Sequence, residues 1–147
     1  MAGAAPKFTI AFKVPELEDQ LFRADVRLQP VIRAAAEYLS ERGKTLTITC
    51  VFRDAETQAR YRAEAIRLGR QEPVKSPHED GRAVDIRTRD LDAATIKSLV
   101  TKLNREFPYA PFGSPAARYP TALYHDVGQG AHIHIQVRPP FRPPERH

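Results

Sequence analysis

The feature that most constrains the fold is the presence of two hydrophobic periodicities in a chain of 147 residues. Apolar residues recur at helical spacing in some segments and alternate with polar residues in others, which predicts both helices and strands. A chain of this length buries roughly two-thirds of its unfolded surface around one core. We therefore expect a single α+β domain over residues 1–138, followed by a proline-rich tail over residues 139–147.

Three segments combine helical spacing with residues that begin or end helices. The third has the clearest pattern, because its first residue is a suitable N-cap, a proline ends it, and its apolar residues form one stripe. The boundary residues, in chain order, are Gln29-Pro30 and Gly43, Asp54 and Gly69, and Asp92 and Pro108.

Alternating segments predict strands at residues 45–53, 82–87 and 131–137, with a further short strand near residues 122–125. We expect them to form a small, mostly antiparallel sheet that carries the functional site and packs against about three helices. In the first strand, strict alternation predicts that one face consists of Leu46, Ile48, Cys50 and Phe52.

Two of these strands and one turn carry polar side chains that could meet. In residues 131–137, His132 and His134 share the face opposite the isoleucines. The Asp80-Gly81 pair predicts a turn that folds His78 back toward Asp85. The last strand could lie beside the strand of Asp85, which would bring the histidines to the acid.

The charge balance favours an anionic partner. Lys and Arg number 23 against 18 Asp and Glu, which gives a formal net charge of +5. Nucleic acid and an anionic cell wall are the candidates, but the chain has no Trp and only 8% aromatic residues for base stacking, so nucleic acid is not expected. No stretch has the apolar length of a signal peptide or a transmembrane segment. We expect a protein made in the cytoplasm without a signal peptide.

The histidines and one acid suggest a metal site. The single cysteine, Cys50, has no Cys-x-x-Cys partner, so a metal would be held by His and carboxylates. His78, Asp85 and His134 form a ligand set suited to zinc if the turn and strands bring them together. On the residues alone, an exposed pair of His78 with Asp85 and a solvated histidine face explain the pattern equally well.

The stretch Ser76-Pro-His78-Glu-Asp-Gly81-Arg-Ala83-Val-Asp85 resembles a known signature at every fixed position. It matches the Ser-x-His-x-x-Gly-x-Ala-x-Asp of the zinc peptidases that include D-alanyl-D-alanine carboxypeptidases and L-alanyl-D-glutamate endopeptidases, the LAS-type peptidoglycan metallopeptidases. Upstream, Cys50-Val-Phe-Arg53-Asp-Ala-Glu-Thr-Gln58 is similar to that family's Ser-Gly-Tyr-Arg-Ser segment followed by Gln, and keeps the Arg and the Gln. The resemblance covers about residues 28–138 and implies the family's Hedgehog/DD-peptidase fold.

The resemblance implies a role for each matching residue. His78, Asp85 and His134 would bind Zn²⁺, and Arg53 would stabilise the oxyanion that forms at the attacked carbonyl. One further residue, Ser76, would support the His78 loop. The substrate-binding residues would be Arg53, Ser76 and Gln58.

The departure from the family lies at the general base. Many members carry Glu three residues before the last His ligand, but that position is Ala131 here. The segment Gly130-Ala-His132-Ile-His134 instead resembles the His-x-His of penicillin-insensitive murein endopeptidases and lysostaphin-type enzymes, in which the first His assists proton transfer. The resemblance therefore implies His132 as the catalytic base, and His125 is a second candidate.

These expectations favour one function over two alternative functions. We expect a zinc-dependent peptidase that hydrolyses a stem-peptide amide of peptidoglycan, at the D-Ala terminus or between L-Ala and D-Glu. It would act as a phage or prophage endolysin after holin-type release, or as part of a phage tail or similar particle. The first rival is a non-catalytic metal-binding or wall-binding module of such a particle, and the second is a basic nucleic-acid-binding protein.

Overall fold

The computed structural model describes residues 8–51, 60, 63–64, 66–69, 78, 81–126 and 130–139. The five strands of one sheet are β1 (Ile10–Phe12), β2 (Leu46–Cys50), β3 (Ala83–Arg87), β4 (Ala122–Asp126) and β5 (Ala131–Gln136). Their spatial order is β1-β2-β3-β5-β4; β1 pairs parallel to β2, and the other pairings are antiparallel. The sheet packs against three helices, α1 (Glu16–Arg23), α2 (Leu28–Ser40) and α3 (Ala93–Glu106). The expected α+β architecture is confirmed.

The predicted stripes account for how α2 and α3 are buried. In α3, Leu99 and Leu103 are fully buried, and the Asp92 carboxylate caps the helix by accepting a hydrogen bond from the Thr95 N–H at 2.7 Å. Helix α2 ends where Gly43 adopts a φ of 71°, a left-handed conformation that favours glycine. The buried side of α2 consists of Leu28, Val31, Ile32, Ala35, Ala36 and Leu39.

Two short elements were not predicted, and one predicted helix is described only in part. Helix α1 has eight residues and buries only Leu17, while β1 has three residues and joins the sheet by main-chain pairing, so neither has a strong periodic pattern. Of the segment expected to be helical after Asp54, residues 60, 63–64 and 66–67 are described, and they are helical. Among the described residues, no helix has the length and apolar character needed to cross a membrane.

The sheet has one apolar face and one polar face. The apolar face contributes fully buried isoleucines and valine to the core beneath α2 and α3, each side chain stabilising the fold by about 1.5–3 kcal/mol. These residues are Ile48, Val84, Ile86, Ile133 and Ile135. The opposite face carries the acid and the histidines, because side chains alternate along β3 and β5.

A β-bulge in β2 makes the predicted face wrong at Cys50, whereas Leu46 and Ile48 are buried as predicted and Phe52 lies outside the described residues. The register passes from Ile48 opposite Ile86 to Cys50 opposite Asp85, so β2 has one extra residue at this point. The extra residue turns Cys50 away from the apolar face of Ile48 and onto the polar face, and Val51 becomes fully buried instead. Strict alternation could not anticipate this change, because the bulge shifts the period by one residue.

Candidate metal centre

Asp85 lies at the middle of the polar face. It occupies the central strand β3, with Cys50 of β2 opposite on one side and His134 of β5 opposite on the other. The Gly81 backbone, at a φ of 66°, forms the turn that brings His78 back over the strand. His78 and Asp85 are only 2% and 5% exposed, so the predicted approach of the two is confirmed as a buried contact.

The hydrogen bonds of His78 define which ring nitrogen carries its proton. The Val51 carbonyl can only accept, so the Nδ1–H of His78 donates to it at 2.8 Å. In the neutral imidazole, Nε2 is then an acceptor, and it faces the Oδ1 atom of Asp85 at 3.1 Å.

His134 is held in the same manner from the other side. The Gln136 amide donates to the Pro120 carbonyl at 2.9 Å, which turns its Oε1 toward His134. That oxygen accepts from the Nε2–H of His134 at 3.1 Å, so Nδ1 is the acceptor nitrogen of the neutral ring. Nδ1 lies 3.0 Å from the same Asp85 Oδ1 atom.

With neutral imidazoles, three acceptors therefore converge: one nitrogen of His78, one nitrogen of His134 and one oxygen of Asp85. Acceptors cannot satisfy one another in a buried site, so a hydrogen atom or a cation must lie between them. Burial disfavours the His78 imidazolium, but the hydrogen bond with Asp85 and the Cys50 contact outweigh burial and raise the pKa of His78 to about 10. Burial also opposes ionisation of Asp85, but hydrogen bonds from His134 and His78 hold its pKa well below its usual range.

Cys50 belongs to the site, and sequence reasoning missed it. Cys50, His78 and Asp85 each offer one potential metal-ligand atom, and these three atoms all lie within 4.8 Å of one another, so they could hold a metal ion. The Cys50 Sγ atom is 3.7 Å from Nδ1 of His78, the nitrogen that donates to Val51. His134 does not belong to this group of three, but its Nδ1 atom contacts the Asp85 carboxylate. No sequence signal marked Cys50, because only the bulge turns it toward Asp85.

Two further histidines lie beside the centre. His132 is the next residue along the polar face of β5; its Nε2 is 3.6 Å from Asp85 Oδ2, and its Nδ1–H donates to the Gly130 carbonyl at 3.2 Å. The ring of His125 on β4 packs against His132 with the ring centroids 4.5 Å apart. Its Nε2 atom is buried and has no hydrogen-bond partner among the described residues. Burial and the neighbouring histidines lower the pKa of His125, which favours its neutral form.

The structure therefore brings together four of the predicted site residues, and three lie outside the described residues. These four are Asp85 and the three histidines that surround its carboxylate, His78, His132 and His134. That His78, Asp85 and His134 share a zinc ion stays a prediction. The predicted residues outside the described part of the chain are Arg53, Gln58 and Ser76.

Comparison with known proteins does not identify a family. No protein-family model, no curated protein and no solved structure matches the chain. The site geometry and the motif are therefore the two features of the chain that indicate a function.

The paired charges predict how the metal-free protein responds to pH. The pKa of His78 rises on folding from 6.5 to about 10, so its stabilisation is complete below pH 6.5 and is lost as the pH rises toward 10. The pKa of Asp85 falls from 3.8 on folding, so its stabilisation is present above pH 3.8 and is lost at lower pH. We expect the free energy of unfolding of the chelator-treated protein, measured in urea, to fall between pH 6.5 and 9. His78→Asn should flatten this dependence, and a stability that rises over this range would contradict the charge assignment.

Proposed function

We propose that the chain is a zinc-dependent peptidoglycan peptidase in which His78, Asp85 and His134 bind Zn²⁺. One observation carries the proposal: the acceptor nitrogens of two imidazoles converge on one buried carboxylate oxygen. The zinc-peptidase signature, which spans Ser76 to Asp85, and the His-x-His ending at His134 support the same three residues.

Two of the three donor pairs have the spacing of a zinc site, and zinc binding by all three residues would draw the two imidazoles closer together, because His134 lies outside the group of ligand atoms that are mutually within 4.8 Å. Tetrahedral zinc with bonds of about 2.0–2.2 Å holds its donor atoms about 3.3 Å apart. The Asp85 oxygen lies 3.1 Å from the His78 nitrogen and 3.0 Å from the His134 nitrogen, close to that spacing. Each imidazole also donates its outer N–H to a fixed oxygen, of Val51 and of Gln136, which is the support that metal-binding histidines usually have.

Cys50 defines an alternative ligand set, with His78 and Asp85. The motif favours His134 over Cys50, because the His-x-His segment ends at His134, and the nearest His78 nitrogen to Cys50 is the one that donates to Val51. His134, by contrast, already presents its acceptor nitrogen to Asp85.

The chemistry of the site suits hydrolysis of an amide. Zinc, when bound, polarises a carbonyl and lowers the pKa of a coordinated water to about 7. His132 stands beside Asp85 with its Nε2 inward and its Nδ1–H held by Gly130, so it can take a proton at Nε2 and transfer it to the leaving amine. Arg53, by the motif resemblance, would stabilise the oxyanion. The net charge of +5 would favour encounter with an anionic cell wall.

The test is digestion of purified sacculi by the zinc-loaded protein, with mass spectrometry of the released fragments. We expect release of D-Ala, or cleavage between L-Ala and D-Glu, and we expect a chelator to stop the reaction. Tight zinc binding without release of any fragment would contradict the peptidase and favour the non-catalytic module. The same measurement identifies the bond that is cleaved.

A further inference from the structure

We propose that Arg87 binds a carboxylate of the substrate next to the scissile amide; this inference rests on the proposed peptidase function. Arg87 is the last residue of β3, two residues after Asp85 and on the same face of the strand. It would thus make a free carboxylate at this position a requirement for good substrates.

Arg87 is an isolated cation on the sheet. The five strands contain no other Lys or Arg, although the chain carries 23 such residues. The ion pairs of Asp85 are with His78, His132 and His134, and Arg87 forms no ion pair with any residue in the described part of the chain. Its half-buried side chain is therefore available to a ligand on the polar face.

Arg87 also lies close to the candidate metal centre. Arg87 is directly opposite His132 in the register, as Asp85 is opposite His134. Residues two apart on a strand are separated by about 6.7 Å, so the backbone of Arg87 lies about that far along β3 from Asp85. This position is beside His132, the proposed base. A group bound there would lie next to the leaving nitrogen that His132 protonates.

The candidate substrates carry a carboxylate at the required place. In a D-Ala-D-Ala terminus, the carbon attached to the scissile nitrogen bears the terminal carboxylate. In the L-Ala to D-Glu bond of a γ-linked stem peptide, the same carbon bears the α-carboxylate of D-Glu. An arginine binds such a group in a planar, two-point geometry.

The test compares acid and amide forms of two stem-peptide substrates. One pair differs at the terminal D-Ala carboxylate and the other at the D-Glu α-carboxylate. We expect that, in one pair, amidation lowers kcat/KM of the wild-type protein by about 10- to 100-fold, and that Arg87→Gln lowers kcat/KM for the acid equally but hardly affects the amide. Arg89→Gln, in the exposed turn after β3, is the matched control and should behave as wild type.

Two results would overturn the assignment of Arg87. One is an equal loss on acid and amide in both pairs, and the other is no loss in Arg87→Gln. If the wild-type protein cleaves none of the peptides, calorimetric binding of the same acid and amide pairs gives the same comparison. A carboxylate preference that Arg87→Gln abolishes would then support the subsite while the peptidase proposal fails, and the absence of such a preference would reject the subsite.

Discussion

Asp85→Asn should lower the zinc affinity by more than about 100-fold and abolish hydrolysis of sacculi. The Oδ1 atom of Asp85 is the point on which both His78 and His134 converge, at 3.1 and 3.0 Å. Loss of a residue that only supports a ligand costs about 10- to 100-fold in metal affinity, so loss of the central ligand should cost more. Zinc content after dialysis, with circular dichroism to verify folding, measures the effect.

Two controls sharpen this experiment. Asp90→Asn changes an exposed acid in the turn after β3 and should leave zinc content and activity unchanged. Cys50→Ser should also retain zinc, because the proposed ligands are two histidines and one acid. If Cys50→Ser loses zinc and His134→Ala retains it, the third zinc ligand is Cys50 and not His134. If Asp85→Asn keeps both its zinc and its lytic activity, the proposed metal site is refuted.

His132→Ala should lower kcat by about 10²- to 10⁴-fold without loss of zinc, which is the usual contribution of a general base. His132 is not among the proposed ligands, and its Nε2 is 3.6 Å from the outer oxygen of Asp85. A large fall in kcat with unchanged zinc content would therefore separate proton transfer from metal binding. Single-turnover hydrolysis of a defined stem peptide gives the rate, and metal analysis of the same sample gives the occupancy.

His125→Ala is the matched control for the base. The His125 ring packs against the His132 ring, so the two substitutions each remove an imidazole from the same part of the site. We expect His125→Ala to retain most of the activity. If His125→Ala is inactive and His132→Ala is active, the base is His125, and loss of zinc in His132→Ala would mean that His132 acts as a ligand.

Local sequence signals predicted the parts of the site that depend on short-range geometry. A glycine at the turn allowed His78 to fold back onto Asp85, and alternation along β5 put His132 and His134 on one face. The sequence left open whether β5 lies beside β3; the structure pairs the two strands, and the register brings His134 opposite Asp85. The stripes of α2 and α3 were readable, since burial follows the helical period.

Features that depend on long-range pairing were not predictable. The bulge that turns Cys50 toward Asp85 arises from how β2 meets β3, and nothing in the alternation of β2 indicates it. The same shift buries Val51 and lets its carbonyl hold His78, so the predicted face was wrong where the site is built. Strand β1 has three residues and forms by pairing with β2, which a periodicity over so few residues cannot reveal.

The most direct test of the central claim is X-ray absorption at the zinc edge of the metal-loaded protein. Ligation by His78, Asp85 and His134 predicts nitrogen and oxygen neighbours at about 2.0–2.2 Å and no sulfur neighbour. A zinc–sulfur distance of about 2.3 Å would mean that Cys50 is a ligand, and failure to take up zinc at all would contradict the metal centre.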